Sequence, residues 1–593
     1  MLPLLATILG IGLVLFIHET GHYVAARMAG VRVEVFSIGM GPRIFGWKWR
    51  GCDFRISLVP FGAYVRMAGE EMTREALPDE LGAQPPRWRF FIFAGGILMN
   101  FLFALLLIPA LFRIGVPFYA PVAGQIEAGG PAWQAGMEQG DRILSVNGKP
   151  TYGFLNFMST VALSEAGQPL NLEVEGREGS RRSLVLEPKY DKVQGFRRAG
   201  VNPPLESRLE LQVEEESPAW EAGLRQGDQL ISLEGVALET AFEADHMLAF
   251  GLLSGTPIRL GLESPEGDTR EVVLHPQLLP EAPPAVGIHL WQNRVEEIRS
   301  GPLKGHLQEG DWILEAGDQP VARRDQLLAA CLIAGGLPPL KIFRQGQEIL
   351  LPARSDIDAR QVASDLWLKS HEELRVGVTP GGPAALAGFR HGDQILRVDD
   401  RIVHELVEVA KIVRSKEEEE VRFTLLHPGE EEPVQITVQP KSSPRIDLPV
   451  NLFYREEIVR RDNMVDALWL GLSEANRMVH EVFLTLNRMI TGQVDRKNIG
   501  GILTIGQVTY QRANKGLVPL LFFLAMISIH LGVLNLLPIP ALDGGHLLFV
   551  IIEKLRGRPL SERTQGWFNL VGVVAVLGLI LFTLWQDIRR LME

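Results

Sequence analysis

Four stretches of this chain are apolar and long enough to cross a bilayer, which takes about 20 helical residues. They lie near residues 3–24, 90–112, 516–539 and 566–586. Two sit at each end, and a polar middle of residues 114–515 separates them. In lipid the backbone must be satisfied within helices or closed barrels. The ends are therefore expected to be membrane helices and the middle to fold in water. A hydrophobic content of 46% is ordinary only because that middle dilutes the spans. A cleaved signal peptide is the competing reading of the first stretch. It lacks a basic start and a small-residue cleavage site, so a retained span is expected.

The first span ends in His18-Glu19-Thr20-Gly21-His22, an HExxH pattern. Positions i and i+4 share one face of a helix, so His18 and His22 can face one ion. Neutral imidazole is a good zinc ligand. Glu19 lies beside that face, and its expected role is general base, taking a proton from the attacking water. A catalytic zinc commonly has three protein ligands, so one more must come from elsewhere. With 13 histidines the pattern can arise by accident. Its place at the end of a span argues otherwise, because ionisable groups at membrane depth are costly and default to functional sites.

Asp543 is the candidate third ligand. It follows residues 516–542, which hold no charge and one titratable group, His530. Pro538 and Pro540 break that segment, and Gly544-Gly545 follow. Such breakers are tolerated at membrane depth where backbone is buried in protein or lines a cavity. The plainer reading is an aspartate capping a helix at the membrane surface.

Loop 25–89 holds ten Lys/Arg and loop 543–565 holds four. The positive-inside rule places both in the cytoplasm, so residues 114–515 are expected on the outer side. Arg589 and Arg590 oppose this weakly. Cys52 and Cys331 fall in regions assigned to opposite sides and are not expected to pair. A net charge of −12 gives no support for nucleic-acid binding.

The middle repeats itself. Pro131-Ala-Trp-Gln-Ala-Gly-Met-Glu-Gln-Gly-Asp141 returns as Pro218–Asp228 and Pro383–Asp393, and in a shorter form as Pro302–Asp311. The closing aspartates are 87, 83 and 82 residues apart. Each unit reads as a short helix, a glycine turn and an alternating strand. The units resemble PDZ domains, counted here at 115–195, 197–278, 284–356 (degenerate) and 365–441. Such domains bind peptide C-termini by adding a strand to a sheet edge. Stacked over a site, they could equally be a steric filter against bulky ectodomains, and that reading is favoured.

Phe16–His22, Val33-Glu-Val-Phe-Ser-Ile-Gly-Met-Gly-Pro42 and Asn535-Leu-Leu-Pro-Ile-Pro-Ala-Leu-Asp-Gly-Gly545 together resemble the site-2 protease family, in its bacterial branch of regulators of sigma E. The resemblance covers residues 1–115 and 445–593. It implies Zn2+ held by His18, His22 and Asp543, with Glu19 as catalytic base. It implies that Asn535, Pro538 and Pro540 help place the substrate backbone or the developing oxyanion. It also implies a multi-pass protein of a bacterial inner membrane with its PDZ array on the periplasmic side. Where this chain has His530 the family commonly has asparagine, and the branch usually carries one or two PDZ units rather than four.

Residues 53–67 alternate and turn at Pro60-Phe-Gly62. They resemble the family's membrane-dipping β-hairpin, whose strand, with Ile56 and Leu58, can pair with an unwinding substrate. An ordinary cytoplasmic hairpin anchored by Trp47 and Trp49 is the alternative. Residues 456–490 carry a long helical pattern with one face marked by Val465, Leu468, Trp469, Leu472, Val479, Phe483 and Leu486. That suits an amphipathic helix on the outer membrane surface, within an extramembrane segment 445–515, and equally one packed on the PDZ array.

The expected fold is a polytopic α-helical membrane protein of about four spans, 1–114 and 516–593, with the hairpin and an extramembrane array of α/β PDZ domains. The expected function is zinc-dependent intramembrane endoproteolysis of single-span proteins already trimmed by a site-1-type protease. Anti-sigma factors and signal-peptide remnants are the substrate classes that the resemblance implies. The rival is a non-enzymatic membrane scaffold gathering partners through its PDZ repeats. Such a scaffold would be expected to lose Glu19 or a ligand, and all four residues are present.

Overall fold

The computed structural model describes residues 2–592 apart from 70–76, 254–255, 277–284, 300, 346, 371–372, 380, 417–418, 431, 442–445, 447, 451–452 and 559. Among the described residues, four helices are long and apolar enough to cross a membrane. They are α1 (Leu2–Met28), α2 (Pro86–Ile114), α5 (Leu517–Leu536) and α7 (Glu562–Met592). Three further helices complete the membrane end: α3 (Met464–Ile490), α4 (Ile502–Lys515) and α6 (Asp543–Arg556).

Between lipid-embedded helices, close packing replaces the hydrophobic drive, so small residues mark the contacts. A Cβ on Gly21 of α1 would stand 2.1 Å from the Gly95 carbonyl oxygen of α2. The two backbones therefore touch. Ala104, Ile108, Leu111 and Phe112 of α2 pack against Ala525, Ile529 and Val533 of α5. The C-terminal α7 stands apart, with most of its large apolar side chains exposed. Two of its contacts fix it to the membrane end. Gly572 presses on the Pro540 backbone. Asp587 caps α4, accepting from the N–H groups of Gly501, Leu503 and Thr504 at 3.1 Å each.

The hairpin segment is larger than expected. Strands Val33–Trp49 and Cys52–Met67 turn at Arg50-Gly51 and then fold back on themselves. Ser37 lies between Arg55 and Tyr64, while Trp47 lies opposite Phe54. The two strands thus make four plies, with a bend near Gly62 rather than one turn there. Met40, Ile44, Phe45, Trp47, Ile56 and Leu58 are exposed apolar residues on this sheet. A run of that kind is a surface for lipid or for another chain.

The expected helix over 456–490 starts late. Residues Glu456–Val459 form a strand paired with Val116–Tyr119, and Asn463 then caps α3 through the Val465 N–H. The strand pair zips the chain where it leaves the membrane body to where it returns. The buried stripe of α3 is Ala467, Gly471, Glu474, Ala475 and Met478, while Val465, Leu468, Trp469, Leu472 and Phe483 stay exposed. Arg488 of α3 donates to the Leu163 carbonyl at 3.2 Å and pairs with Glu165 at 3.1 Å, clamping the first repeat to the membrane body.

Among the described residues, four sheets of four to six strands make up most of the middle, one for each copy of the repeat. Asp141, Asp228, Asp311 and Asp393 are all buried. Each accepts from the backbone N–H three residues earlier, at 2.8, 2.7, 2.8 and 2.8 Å. Each meets a nitrogen-bearing side chain farther along its unit: Arg182, Arg270, Arg344 and His427. The preceding glycines sit at φ 99°, 85°, 92° and 90°, where a Cβ is strained.

The sheets cross the boundaries read from sequence. Strand Ile288–Leu290, assigned to the third unit, pairs with Arg375–Val378 of the fourth. Strand Leu366–Lys369, assigned to the fourth, pairs with Arg294–Ile298 of the third. Leu205 and Leu211 of the second unit bridge Tyr454 and Val450, beyond the fourth. The units are therefore nested: the third lies inside the fourth, and the fourth inside the second. The repeat motif marks the start of a unit, whereas the strand that closes its sheet sits at a variable distance along the chain.

Candidate metal centre

Helix α1 places His18 and His22 one turn apart, both buried. Asp543 arrives from the far end of the chain as the first residue of α6. Its Oδ2 lies 3.1 Å from His18 Nε2 and 3.4 Å from His22 Nε2. The two imidazole nitrogens are 3.2 Å apart. Bonds of about 2.0–2.1 Å to one tetrahedral ion would set ligand atoms roughly 3.3–3.4 Å from one another. The three atoms therefore fit a single small cation. Asp543 Oδ2 is also buried and satisfied by no hydrogen bond, which suits a metal-facing acceptor.

The loop before Asp543 is folded tightly. Ala541 sits at φ 71°, a left-handed conformation rare for a residue with a side chain. A Cβ on Gly544 would stand 2.1 Å from the Leu537 carbonyl oxygen, and one on Gly545 would stand 2.5 Å from that of Ile539. Both glycines are needed for the Pro538–Pro540 loop to fold back onto the start of α6. That helix is pinned to α2 by the Arg89–Glu553 ion pair and by His546 stacked on Phe93 at 4.8 Å.

Asn535, the last polar residue of α5, brings its side-chain nitrogen to 3.3 Å from His18 Nε2. Glu19 is half-buried on the same turn as the histidines, and the backbone N–H of Val65 in the four-ply sheet faces its carboxylate. Tyr23 and Phe16 of α1 pack edge-on against Phe36 at 5.7 and 5.5 Å, holding that sheet to the helix. The fold thus gathers His18, His22, Asp543 and Asn535, with Glu19 beside them. Pro540 backs the site against Gly572. Pro538, Ile56 and Leu58 are exposed.

Sequence reasoning missed the part played by α2. A Cβ on Gly96 would stand 2.4 Å from His22 Nε2 and 2.6 Å from His18 Cε1, so both rings lie against bare backbone. Asn100 places its amide 3.1 Å from His18 Nδ1. The available signal was a lone asparagine within an otherwise uncharged span, four residues from a glycine.

An HExxH helix meeting a distant carboxylate inside a bundle of apolar helices is the architecture of a membrane-embedded metallopeptidase. Residues 6–579 match Peptidase family M50. The chain belongs to that family, and it is an enzyme of the membrane metalloendopeptidase class. It is 25% identical over 599 residues to a Neisseria meningitidis protein whose name includes zinc metalloprotease, covering 99% of each chain. It is 23% identical over 604 residues to the regulator of sigma E protease of Haemophilus influenzae, covering 98% of each. With the protease RseP of Yersinia pestis it shares 27% identity over 603 residues, 99% of this chain and 98% of that one. A solved PDZ domain protein from Parabacteroides distasonis overlaps 42% of this chain and 93% of its own, at 9% identity and a TM-score of 0.16, too low to carry an argument.

Proposed function

We propose that this protein is a zinc-dependent intramembrane endopeptidase, with His18, His22 and Asp543 holding the ion and Glu19 acting as general base. The observation that carries this is the meeting of three ligand atoms, from opposite ends of the chain, within 3.4 Å of one another. Zinc at that point supplies Lewis acidity, polarising a peptide carbonyl and making water a nucleophile near neutral pH. Glu19 takes the proton from the attacking water and returns one to the leaving amine. Asn535 is close enough to donate to a carbonyl held at the site. The Pro538–Pro540 loop and the sheet edge with Ile56 and Leu58 hold the substrate extended, which offsets the cost of opening its helical hydrogen bonds in lipid.

The substrates are membrane-spanning segments of single-span proteins already trimmed outside the bilayer by another protease. Anti-sigma factors are the first class to test, because relatives bear the name of a sigma E regulator; signal-peptide remnants are the second. The chain lies in a bacterial inner membrane, with four PDZ-like units on the periplasmic side. Those units screen out bulky ectodomains, and their sheet edges could also take peptide C-termini. The test is cleavage of a trimmed single-span substrate by purified protein, beside Glu19→Gln and beside a zinc chelator. Turnover lost in both controls supports the reading. Turnover that survives both would sink it.

A further inference from the structure

One stripe of α2 holds both imidazoles from behind. Ile92, Gly96 and Asn100 are spaced four apart, so they share a helix face. His22 Nδ1 lies 2.9 Å from the Ile92 carbonyl oxygen. A carbonyl can only accept, so neutral His22 carries its proton on Nδ1 and leaves a lone pair on Nε2. Gly96 clears the space for both rings.

Asn100 faces His18 Nδ1 at 3.1 Å, and its amide can either donate or accept. If the NH2 group faced the ring, Nδ1 would have to accept. The proton of His18 would then sit on Nε2, the atom 3.1 Å from Asp543 Oδ2, and Nε2 could bind no metal. Asn100 Oδ1 would also remain buried without a partner. Turning the amide by 180° occupies the same space, frees His18 Nε2 and gives Oδ1 a donor. Oδ1 then accepts from Nδ1–H, and the Nε2 lone pair faces the cluster, as in His22.

We propose that Asn100 is a positioning residue of the metal centre: its side-chain oxygen accepts the Nδ1 proton of His18 and fixes the tautomer and ring plane in which Nε2 meets the ion. This rests on the reading of His18 as a zinc ligand. Asn100 is fully buried, and its own backbone carbonyl accepts from Ser528 Oγ of α5 at 3.1 Å. It is therefore held by the helix that carries Asn535 and leads into Asp543. Partners of this kind raise the basicity of a ligating histidine and lock its orientation, and losing one commonly costs 10–100-fold in metal affinity.

The test is zinc affinity, measured by competition with a chromophoric chelator on the purified full-length protein in detergent. The unmodified chain is compared with Asn100→Leu, Asn100→Asp and His18→Ala. Asn100→Leu is expected to bind zinc about 10–100-fold more weakly. Asn100→Asp still accepts from Nδ1–H and is expected to stay near the unmodified value. That rescue separates an acceptor role from mere packing. Equal affinity in Asn100→Leu, or equal loss in Asn100→Asp, overturns the proposal. If metal-free Asn100→Leu fails a thermal-unfolding check, Asn100→Ala replaces it against the same Asp comparison. An unmodified chain that binds no zinc overturns the metal reading and this proposal with it. Binding lost in His18→Ala but unchanged in Asn100→Leu overturns only the role of Asn100.

Discussion

His18 and Asp543 are 525 positions apart (543 minus 18), yet Nε2 of one lies 3.1 Å from Oδ2 of the other. Nothing local brings them together. α1 reaches the site because Gly21 and Gly95 let α1 and α2 touch, and α6 reaches it because Arg89 and Phe93 of the same α2 grip Glu553 and His546. The second span is thus the template on which both ends of the chain are registered.

Asp543→Asn should therefore lose metal while keeping its fold. The amide fills the same space but is a poor partner for zinc. Zinc content of the purified variant should fall well below one per chain, with thermal unfolding of the metal-free protein unchanged. Full occupancy would place the third ligand elsewhere. Glu19→Gln should do the opposite, keeping zinc while turnover falls about 10²–10⁴-fold, the usual range for a lost general base.

Gly96→Ala isolates the role of α2. Alanine is the better helix former, so the helix itself should be favoured. The new methyl, however, would stand 2.4 Å from His22 Nε2 and 2.6 Å from His18 Cε1. Both rings must move, and ligand geometry tolerates little displacement. Zinc affinity should fall by at least about tenfold. A variant that binds zinc as tightly as the parent would show that the rings rest elsewhere.

The meeting of His18, His22 and Asp543 could be anticipated from sequence because two short patterns, each with its own chemistry, pointed to one place. The spans were legible for the same reason: lipid allows few solutions. Gly96 and Asn100 were not, because their significance lies in which helix faces α1, a tertiary fact. The array failed differently. The Gly-Asp pairs announce each unit through a local turn, but Leu366–Lys369 and Ile288–Leu290 are ordinary short strands whose partners depend on nesting. The strand Glu456–Val459 was read as helix because its apolar residues run on into the amphipathic pattern of α3.

Where the first three units meet, Asp245 is buried, with Gln139 donating to it at 2.7 Å and Asp325 adding like charge. Burial pushes its carboxyl up to about 7. In the unfolded chain it would ionise near 4. Between those values the folded state holds a proton that the unfolded state has lost, so stability falls as pH rises from 4 to 7 and is flat above. The difference is at most on the order of 4 kcal/mol. Asp245→Asn should remove this slope. The variant should match the parent near pH 4 and unfold at a higher temperature at pH 8. Parallel curves across that range would refute the assignment.

The nested topology changes how the filter reading must be tested. Removing residues 115–441 would strip the strand partners of Val450, Tyr454 and Glu456–Val459, leaving the return path to the membrane unpaired. Removing 365–441 would take the closing strand of the third unit with the fourth. Ala285 and Lys441 offer the clean cut: each backbone N–H donates to the other's carbonyl, at 3.1 and 3.0 Å, where the chain enters and leaves the inserted pair of units. Joining them through a two-residue Asn-Gly turn fits an antiparallel bridge of that kind. The shortened protein should keep zinc and cut a trimmed substrate at the parent rate, because α3 still clamps the first unit through Arg488. If the third and fourth units act as a steric screen, it should also cut substrates whose ectodomains are intact. Cleavage confined to trimmed substrates, with zinc and unfolding temperature preserved, would show that exclusion does not reside in those two units.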